Sequence, residues 1–179
     1  IDRLIWLVDI DNGTIQDKDL QFINKLVTDK PILFIFNKAD LKTDEEIEKI
    51  KESCLLVSKT LAEVAKHLKV GITGKELDKI AEAFILDHKA VPSFKGYRGF
   101  PATLCISPNH AVVHGIPNDV PFKDTDIVSI DCGVYFNGYH GDSAYTFAFV
   151  NAPKEAASLM TATKESLNKG IDLVKAGVR

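Results

Sequence analysis

The sequence has 179 residues, enough for one well-packed domain or for one domain and a fragment of a second. Hydrophobic residues make up 45% and charged residues 26%, as in ordinary globular proteins, and the net charge of −3 favours neither nucleic acid nor an anionic membrane as a partner. No apolar run approaches the roughly 20 residues of a membrane-spanning helix. These values exclude a basic nucleic-acid-binding protein and a transmembrane protein.

The first 42 residues predict a strand, a helix and a second strand. The run LIWLVD at 4–9 is apolar throughout, as in a strand buried on both faces. Leu20, Ile23, Leu26 and Val27 form one stripe of a helix at about 18–28, and ILFIF follows after Pro31. This order predicts a compact βαβ unit with a right-handed crossover, and therefore an α/β fold. The opening IDRLIWLVDID has no basic segment and no cleavage site, so we expect no signal peptide; without an initiator Met, it suggests a segment of something larger.

The end of this unit, FNKAD, resembles the guanine-specificity motif NKxD of GTPases. The resemblance implies that Asn37 and Asp40 would hydrogen-bond the base and that Lys38 would pack over it. These 179 residues contain neither GxxxxGK[ST] nor a DxxG segment, so no backbone amides would bind the phosphates. We therefore expect residues 1–42 to be a structural block that binds neither GTP nor GDP. A micromolar dissociation constant in calorimetry, abolished by Asp40→Ala, would contradict this expectation.

Residues 43–90 predict two helices. The first begins with Thr43 or Asp44 as N-cap and ends at Gly71, with apolar residues at helical spacing between them. The second begins at the capping sequence TGKE, from Thr73, and extends to about His88. Cys54, Cys105 and Cys132 are odd in number and widely spaced, which predicts reduced, buried thiols in a cytoplasmic protein.

From Ala90 the sequence predicts loops and short strands, then a hairpin at 126–149 and a helix from about Pro153 to Lys175. If Asn137-Gly138 is the two-residue turn, Gly133 lies opposite Asp142 and Asp131 lies opposite Ala144. Asp131 and Asp142 then share one face as diagonal neighbours, roughly 7–8 Å apart at the backbone. His140 falls on the same face.

Two converging carboxylates repel unless one is protonated or a cation lies between them. Oxygen-rich sites suit divalent Mn, Mg, Co, Fe or Zn. The alternative is that Asp131 caps a strand end and Asp142 belongs to a surface loop. The apolar sequences VSI before Asp131 and AYTFAFV after Asp142 favour a metal site, because a buried acid needs a partner.

Residues 43–179 resemble the first half of a type I methionine aminopeptidase, a dinuclear metallopeptidase with the pita-bread fold. The resemblance rests on KTDEEIEKIKES, GITGKELDKIAEAFI, GYRGFPATLCIS and VVHGIPNDVPFKDTDIVSIDCGVYFNGYHGDSAYTF. It implies that Asp131 and Asp142 are metal ligands, with Asp142 bridging two ions of Co, Mn, Fe or Zn. It further implies that His114 contacts the scissile amide of a peptide N-terminus. By the same resemblance, the pocket for the methionine side chain is lined by Tyr97, Phe100 and Cys105.

In that family the other ligands, one histidine and two glutamates, come from the second half of the fold. We therefore expect the chain ending at Arg179 to be inactive alone: it should not release Met from a Met-Ala-Ser type peptide. Turnover that disappears with Asp142→Asn would contradict this. The alternative to a natural enzyme is an engineered or recombined chimera, with residues 1–42 from a GTPase and residues 43–179 from an aminopeptidase.

Half of a pita-bread fold would expose the sheet face that normally packs against the other half. We expect an exposed apolar strip on residues 102–150, formed by Leu104, Ile106, Val113 and Val134 or their neighbours. Either the unit at residues 1–42 covers this strip within one chain, or two chains pair through it with twofold symmetry. We expect pairing, as a homodimer, because a βαβ unit with two apolar strands has faces of its own to bury. Sedimentation showing a monomer at high protein concentration, with or without divalent metal, would contradict this.

Overall fold

The structure, a computed structural model, describes residues 4–7, 32–35 and 42–174. These residues divide into two compact units, which are described separately. The first contains the residues up to Ile47 and those from Thr161 onward, and the second runs from Glu48 to Met160. The helix predicted at 18–28 and the NKxD residues Asn37, Lys38 and Asp40 lie outside the described residues. The domain boundary at 42/43 remains a prediction.

Two short strands of the first unit pair in parallel. Strand β1 is Leu4–Leu7 and strand β2 is Ile32–Ile35. Leu4 lies opposite Ile32 and Leu7 lies opposite Ile35. Parallel strands need a long crossover connection. The residues of that connection lie outside the described part of the chain, so the predicted strand–helix–strand unit stays a prediction.

Two capped helices precede the sheet of the second unit. Helix α1 is Asp44–His67, and the Thr43 hydroxyl accepts from the Glu46 amide while Glu46 accepts from the Thr43 amide. It ends before the predicted Gly71, which lies in the following turn at φ +89°. Helix α2 is Gly74–Asp87, with a capping box formed by Thr73 and Glu76 as predicted.

The sheet of the second unit is built around one long central strand. Its strands are β3 (Val91–Pro92), β4 (Leu104–Pro108), β5 (Ile127–Phe136) and β6 (Tyr139–Ala148). Strands β3 and β4 pair with successive parts of one edge of β5, and β6 pairs with its other edge, all antiparallel. A 3₁₀ turn at Tyr97–Gly99 lies between β3 and β4, and helix α3 (Lys154–Asp172) follows β6.

One face of this sheet forms the core. The buried residues that alternate along β5 are Val128, Ile130, Cys132 and Val134. They lie in the same core as Val57, Leu61 and Val64 of α1 and Leu77, Ala81 and Ile85 of α2. Ser53 fixes α1 to the hairpin, because its hydroxyl lies 2.9 Å from the carbonyl oxygens of Val134 and Tyr139. The opposite face of β5 carries Ser129, Asp131, Gly133 and Tyr135.

The predicted exposed apolar strip is wrong for three of its four residues. Leu104, Ile106 and Val134 are buried, and only Val113 is exposed, by 65%. The three buried residues point to the core face that the helices of the same unit cover. The homodimer itself stays a prediction. In the described part of the chain, no helix combines the length and apolarity that crossing a bilayer requires.

Candidate metal centre

The hairpin that carries the two aspartates has the predicted register. Asn137 and Gly138 have φ values of +51° and +91°, as a two-residue turn of this kind needs. Phe136 pairs with Tyr139, Gly133 lies opposite Asp142, and Asp131 lies opposite Ala144. Asp131 and Asp142 are therefore diagonal neighbours on the face away from the helices.

The two carboxyl groups are close enough to share a proton. Burial, the Asp142 charge and a hydrogen bond with Asp142 raise the pKa of Asp131 from its ordinary 3.8 to about 7. Burial also raises the pKa of Asp142, against the opposing effects of the hydrogen bond with Asp131 and the charge of His140. Without a cation, the pair is expected to hold one proton near neutral pH.

A divalent cation fits this pair. Asp131 Oδ1 is buried and has no hydrogen-bond partner, so the pair contains an unsatisfied acceptor. A cation would satisfy that oxygen and remove the repulsion that now requires a proton. Within the described residues, no group of three or more His, Cys, Asp or Glu side chains could hold a metal. The pair therefore offers carboxylate oxygens for part of a coordination shell.

The shared proton gives apo stability a pH dependence. Between pH 4 and pH 7 the folded pair binds more protons than the unfolded chain, because the pKa of Asp131 is raised to about 7. Stability in chelator should therefore fall as pH rises through this window. Thermal denaturation in chelator from pH 4.5 to 8 measures this change of melting temperature with pH. Asp131→Asn should make the melting temperature depend less on pH, and adding Mn²⁺ to the wild type should raise it at pH 7.5. An unchanged slope in Asp131→Asn would contradict the shared proton.

Cys105 borders the pair from the neighbouring strand. It lies directly opposite Asp131 across β4 and β5, so the two side chains share a face. Cys105 is buried, and burial followed by the charges of Asp131, Asp142 and Asp78 raises the pKa of its thiol to about 11. At neutral pH Cys105 is therefore a protonated, weakly polar side chain next to Asp131. The buried thiols predicted at Cys54 and Cys132 are also present, and all three are free.

The other residues implied by the resemblance lie on two loops. Tyr97 and Phe100 belong to the loop after β3, where Tyr97 is 65% exposed and Phe100 half-buried. His114 belongs to the loop after β4, is exposed and has a left-handed φ of +58°. None of the hydrogen bonds in the described part of the chain joins these three side chains to the carboxyl pair. Their roles stay predictions.

The loop that carries His114 is fastened to β4 beside it. The Ile106 amide donates to the Gly115 carbonyl at 2.8 Å, and the Gly115 amide donates to Ser107 Oγ at 3.0 Å. A Cβ at Gly115 would lie 2.1 Å from the Ile106 carbonyl oxygen. Glycine is needed there because the two backbones approach so closely.

Sequence reasoning missed two residues beside the site, Ser93 and Phe94. A Cβ at Gly133 would lie 2.5 Å from Phe94 Cε1 and 2.9 Å from Ser93 Cβ. Gly133 is opposite Asp142, so both side chains cover the strand next to the pair. A glycine inside an otherwise regular strand was the available signal, because such glycines mark close approach of another group.

The sheet of the second unit has helices on one face and, on the other, a carboxyl pair that fits a divalent cation, as expected for a metal-binding α/β protein. The family model of metallopeptidase family M24 matches residues 48–179. The chain belongs to metallopeptidase family M24.

The chain is similar to curated proteins and solved structures that are named methionine aminopeptidase. Methionine aminopeptidase 1 of Bacillus subtilis is 48% identical over 138 residues, which are 77% of this chain and 56% of that protein. The enzyme of Clostridium perfringens is 49% identical over 132 residues, 74% of this chain and 53% of that protein. The crystal structure of the Thermotoga maritima enzyme superposes with a TM-score of 0.73 at 36% identity, covering 77% of this chain and 56% of that one.

The chain thus spans about half the length of the curated relatives it matches. Structures of more distant relatives, such as an Xaa-Pro dipeptidase of Bacillus anthracis at 18% identity and a TM-score of 0.66, share the fold. The mixed α/β architecture with pita-bread neighbours agrees with the expectation for residues 43–179. The comparisons give no support to a GTPase-derived segment or to a chimera.

Proposed function

We propose that this protein removes N-terminal methionine from peptides with the help of divalent metal held in part by Asp131 and Asp142. The observation that carries the proposal is that these two carboxyl groups lie close together and that Oδ1 of Asp131 is buried without a hydrogen-bond partner. Relatives named methionine aminopeptidase, 46–49% identical in four bacterial examples, support the substrate class.

The proposed roles follow from where the chain places its side chains. Asp142, the more exposed member of the pair, is open to a second cation, whereas Asp131 lies deeper beside Cys105. A divalent cation in such a site supplies Lewis acidity and lowers the pKa of water. The protonated Cys105 offers a polarisable wall for an unbranched thioether side chain, together with Tyr97 and Phe100. His114 would contact the scissile amide.

Release of methionine from a Met-Ala-Ser peptide by the protein at its full natural length tests the proposal, whereas the 179 residues alone are still expected to be inactive. We expect turnover with Mn²⁺, Co²⁺, Fe²⁺ or Zn²⁺ and none in chelator, and the four metals should be compared because the donor set does not select one. A Lys-Ala-Ser peptide is the matched control, since its charged side chain does not suit an apolar pocket. Equal cleavage of both peptides, or cleavage that chelator leaves unchanged, would contradict the proposal.

For residues 1–42 we propose a structural role without nucleotide binding, supported by the parallel pairing of β1 with β2. A homodimer and a cytoplasmic location also remain proposals. Sedimentation of the full-length protein with and without Mn²⁺ tests the first, and fractionation of the source cells tests the second.

A further inference from the structure

A hydrogen bond between two side chains crosses the central strand beside the carboxyl pair. Ser93 Oγ lies 2.8 Å from Nδ1 of His140. The Ser93 amide donates to the Gly133 carbonyl at 2.9 Å, so Ser93 lies along the β3 edge of β5. His140 belongs to β6, on the other edge of β5, opposite Tyr135. This Ser93–His140 bridge therefore spans the full width of β5.

The bridge passes over Gly133, the residue opposite Asp142. Any larger side chain at position 133 would collide with Ser93 and Phe94, because even a Cβ there lies 2.9 Å or less from both. The His140 ring also packs against the Tyr135 ring, with ring centroids 4.7 Å apart. The strand, the glycine and the aromatic contact together fix the bridge next to the carboxyl pair.

The bridge holds one end of the loop at residues 93–100. The loop is closed by its own backbone bonds, including Gly96 to Phe100 at 2.8 Å and Tyr97 to Phe94 at 3.0 Å. Lys95 ties the loop to Glu82 of α2. On the face of the carboxyl pair, a side-chain hydrogen bond between Ser93 Oγ and His140 Nδ1 joins the loop to the sheet. These backbone bonds define the shape of the loop, and the bridge adds a side-chain contact between its first residue and β6 on the face of the carboxyl pair.

We infer that the Ser93–His140 bridge positions the 93–100 loop against the carboxyl pair, and that His140 is a positioning residue for peptide binding rather than a metal ligand. The inference rests on the proposed function, because Tyr97 and Phe100 of this loop are the proposed walls of the methionine pocket. The bond to Ser93 fixes the orientation of the imidazole through Nδ1 and leaves Nε2 free. Within the described residues, His140 does not join Asp131 and Asp142 in a group of three side chains that could hold a metal. Loss of the bridge should loosen the pocket wall while Asp131 and Asp142 keep their places on the hairpin.

The test compares His140→Ala, Ser93→Ala and His140→Asn in the full-length, metal-loaded protein. Both alanine variants should raise KM for the Met-Ala-Ser peptide about 3- to 10-fold, the expected effect of one lost hydrogen bond, with kcat unchanged within about twofold. Amide hydrogen exchange should become faster at residues 93–100 in the metal-free protein. His140→Asn places an amide where Nδ1 lies and should restore both quantities. His67→Ala, which removes an exposed histidine paired with Glu63, is the control and should change neither.

Three results would overturn the inference. An unchanged KM in His140→Ala and Ser93→Ala would remove the positioning role, even if the loop exchanges faster. Weaker metal binding in His140→Ala alone, with Ser93→Ala normal, would make His140 a ligand. A wild-type protein that cleaves no Met peptide with any of the four metals would refute the proposed function, and the inference with it; that failure appears in the wild type, so it is distinct from the first two.

Discussion

Asp142→Asn should abolish metal-dependent cleavage and weaken divalent-cation binding by at least about 100-fold. Changing residues that only support metal ligands typically costs 10–100-fold in affinity, and a direct ligand should cost more. The amide of Asn keeps the shape of the side chain but lacks the negative charge that a hard cation requires. Calorimetric titration of the full-length protein with Mn²⁺, followed by the Met-Ala-Ser assay, measures both effects.

The same variant should not be less stable without metal. In the apo protein, burial and the adjacent Asp131 carboxyl disfavour the charged form of the pair, so a neutral amide removes repulsion. The melting temperature in chelator at pH 7.5 should therefore be equal to that of the wild type or higher. Asp87→Asn, at an exposed position at the end of α2, is the matched control and should bind metal normally. Normal Mn²⁺ affinity in Asp142→Asn would exclude this carboxylate from the centre.

The hairpin could be predicted from sequence because its register is set by residues close together in the chain. Asn137-Gly138 selects a two-residue turn, and the turn fixes every cross-strand pair from Phe136 back to Asp131. The capping boxes at Thr43 and Thr73 were predictable for the same reason, since each is formed by residues three positions apart. The approach of Asp131 to Asp142 followed from these local rules.

The burial of the sheet faces could not be predicted in this way. In β4, Leu104, Cys105 and Ile106 are all apolar, so alternation does not tell which face the helices cover. The structure shows Leu104 and Ile106 in the core and Cys105 beside Asp131. The Ser93–His140 bridge was equally inaccessible, because its two residues are 47 positions apart and meet only after β3 and β6 pair with β5.

Gly141→Ala should destabilise the second unit by about 3 kcal/mol, at the upper end of the typical cost of overpacking a core. A Cβ at position 141 would lie 2.8 Å from both the carbonyl carbon and the oxygen of Ser53 and 2.9 Å from the Cys54 amide nitrogen. These are backbone atoms in the middle of α1, so no side-chain rotation relieves the overlap. The helix would have to move away from the hairpin, and the Ser53 hydroxyl would lose its contacts with Val134 and Tyr139.

Gly170→Ala is the matched control, because the substitution is the same and its surroundings are open. A Cβ at Gly170 meets nothing within 4 Å, and the residue lies within helix α3. Alanine there should leave stability unchanged or raise it by up to about 1 kcal/mol through helix propensity. Thermal denaturation of the two variants should therefore give opposite signs, with Gly141→Ala lowering the melting temperature by roughly 6–12 °C. Equal melting temperatures for Gly141→Ala and the wild type would mean that α1 does not pack on the hairpin at Ser53, and the core of the unit would have to be arranged differently.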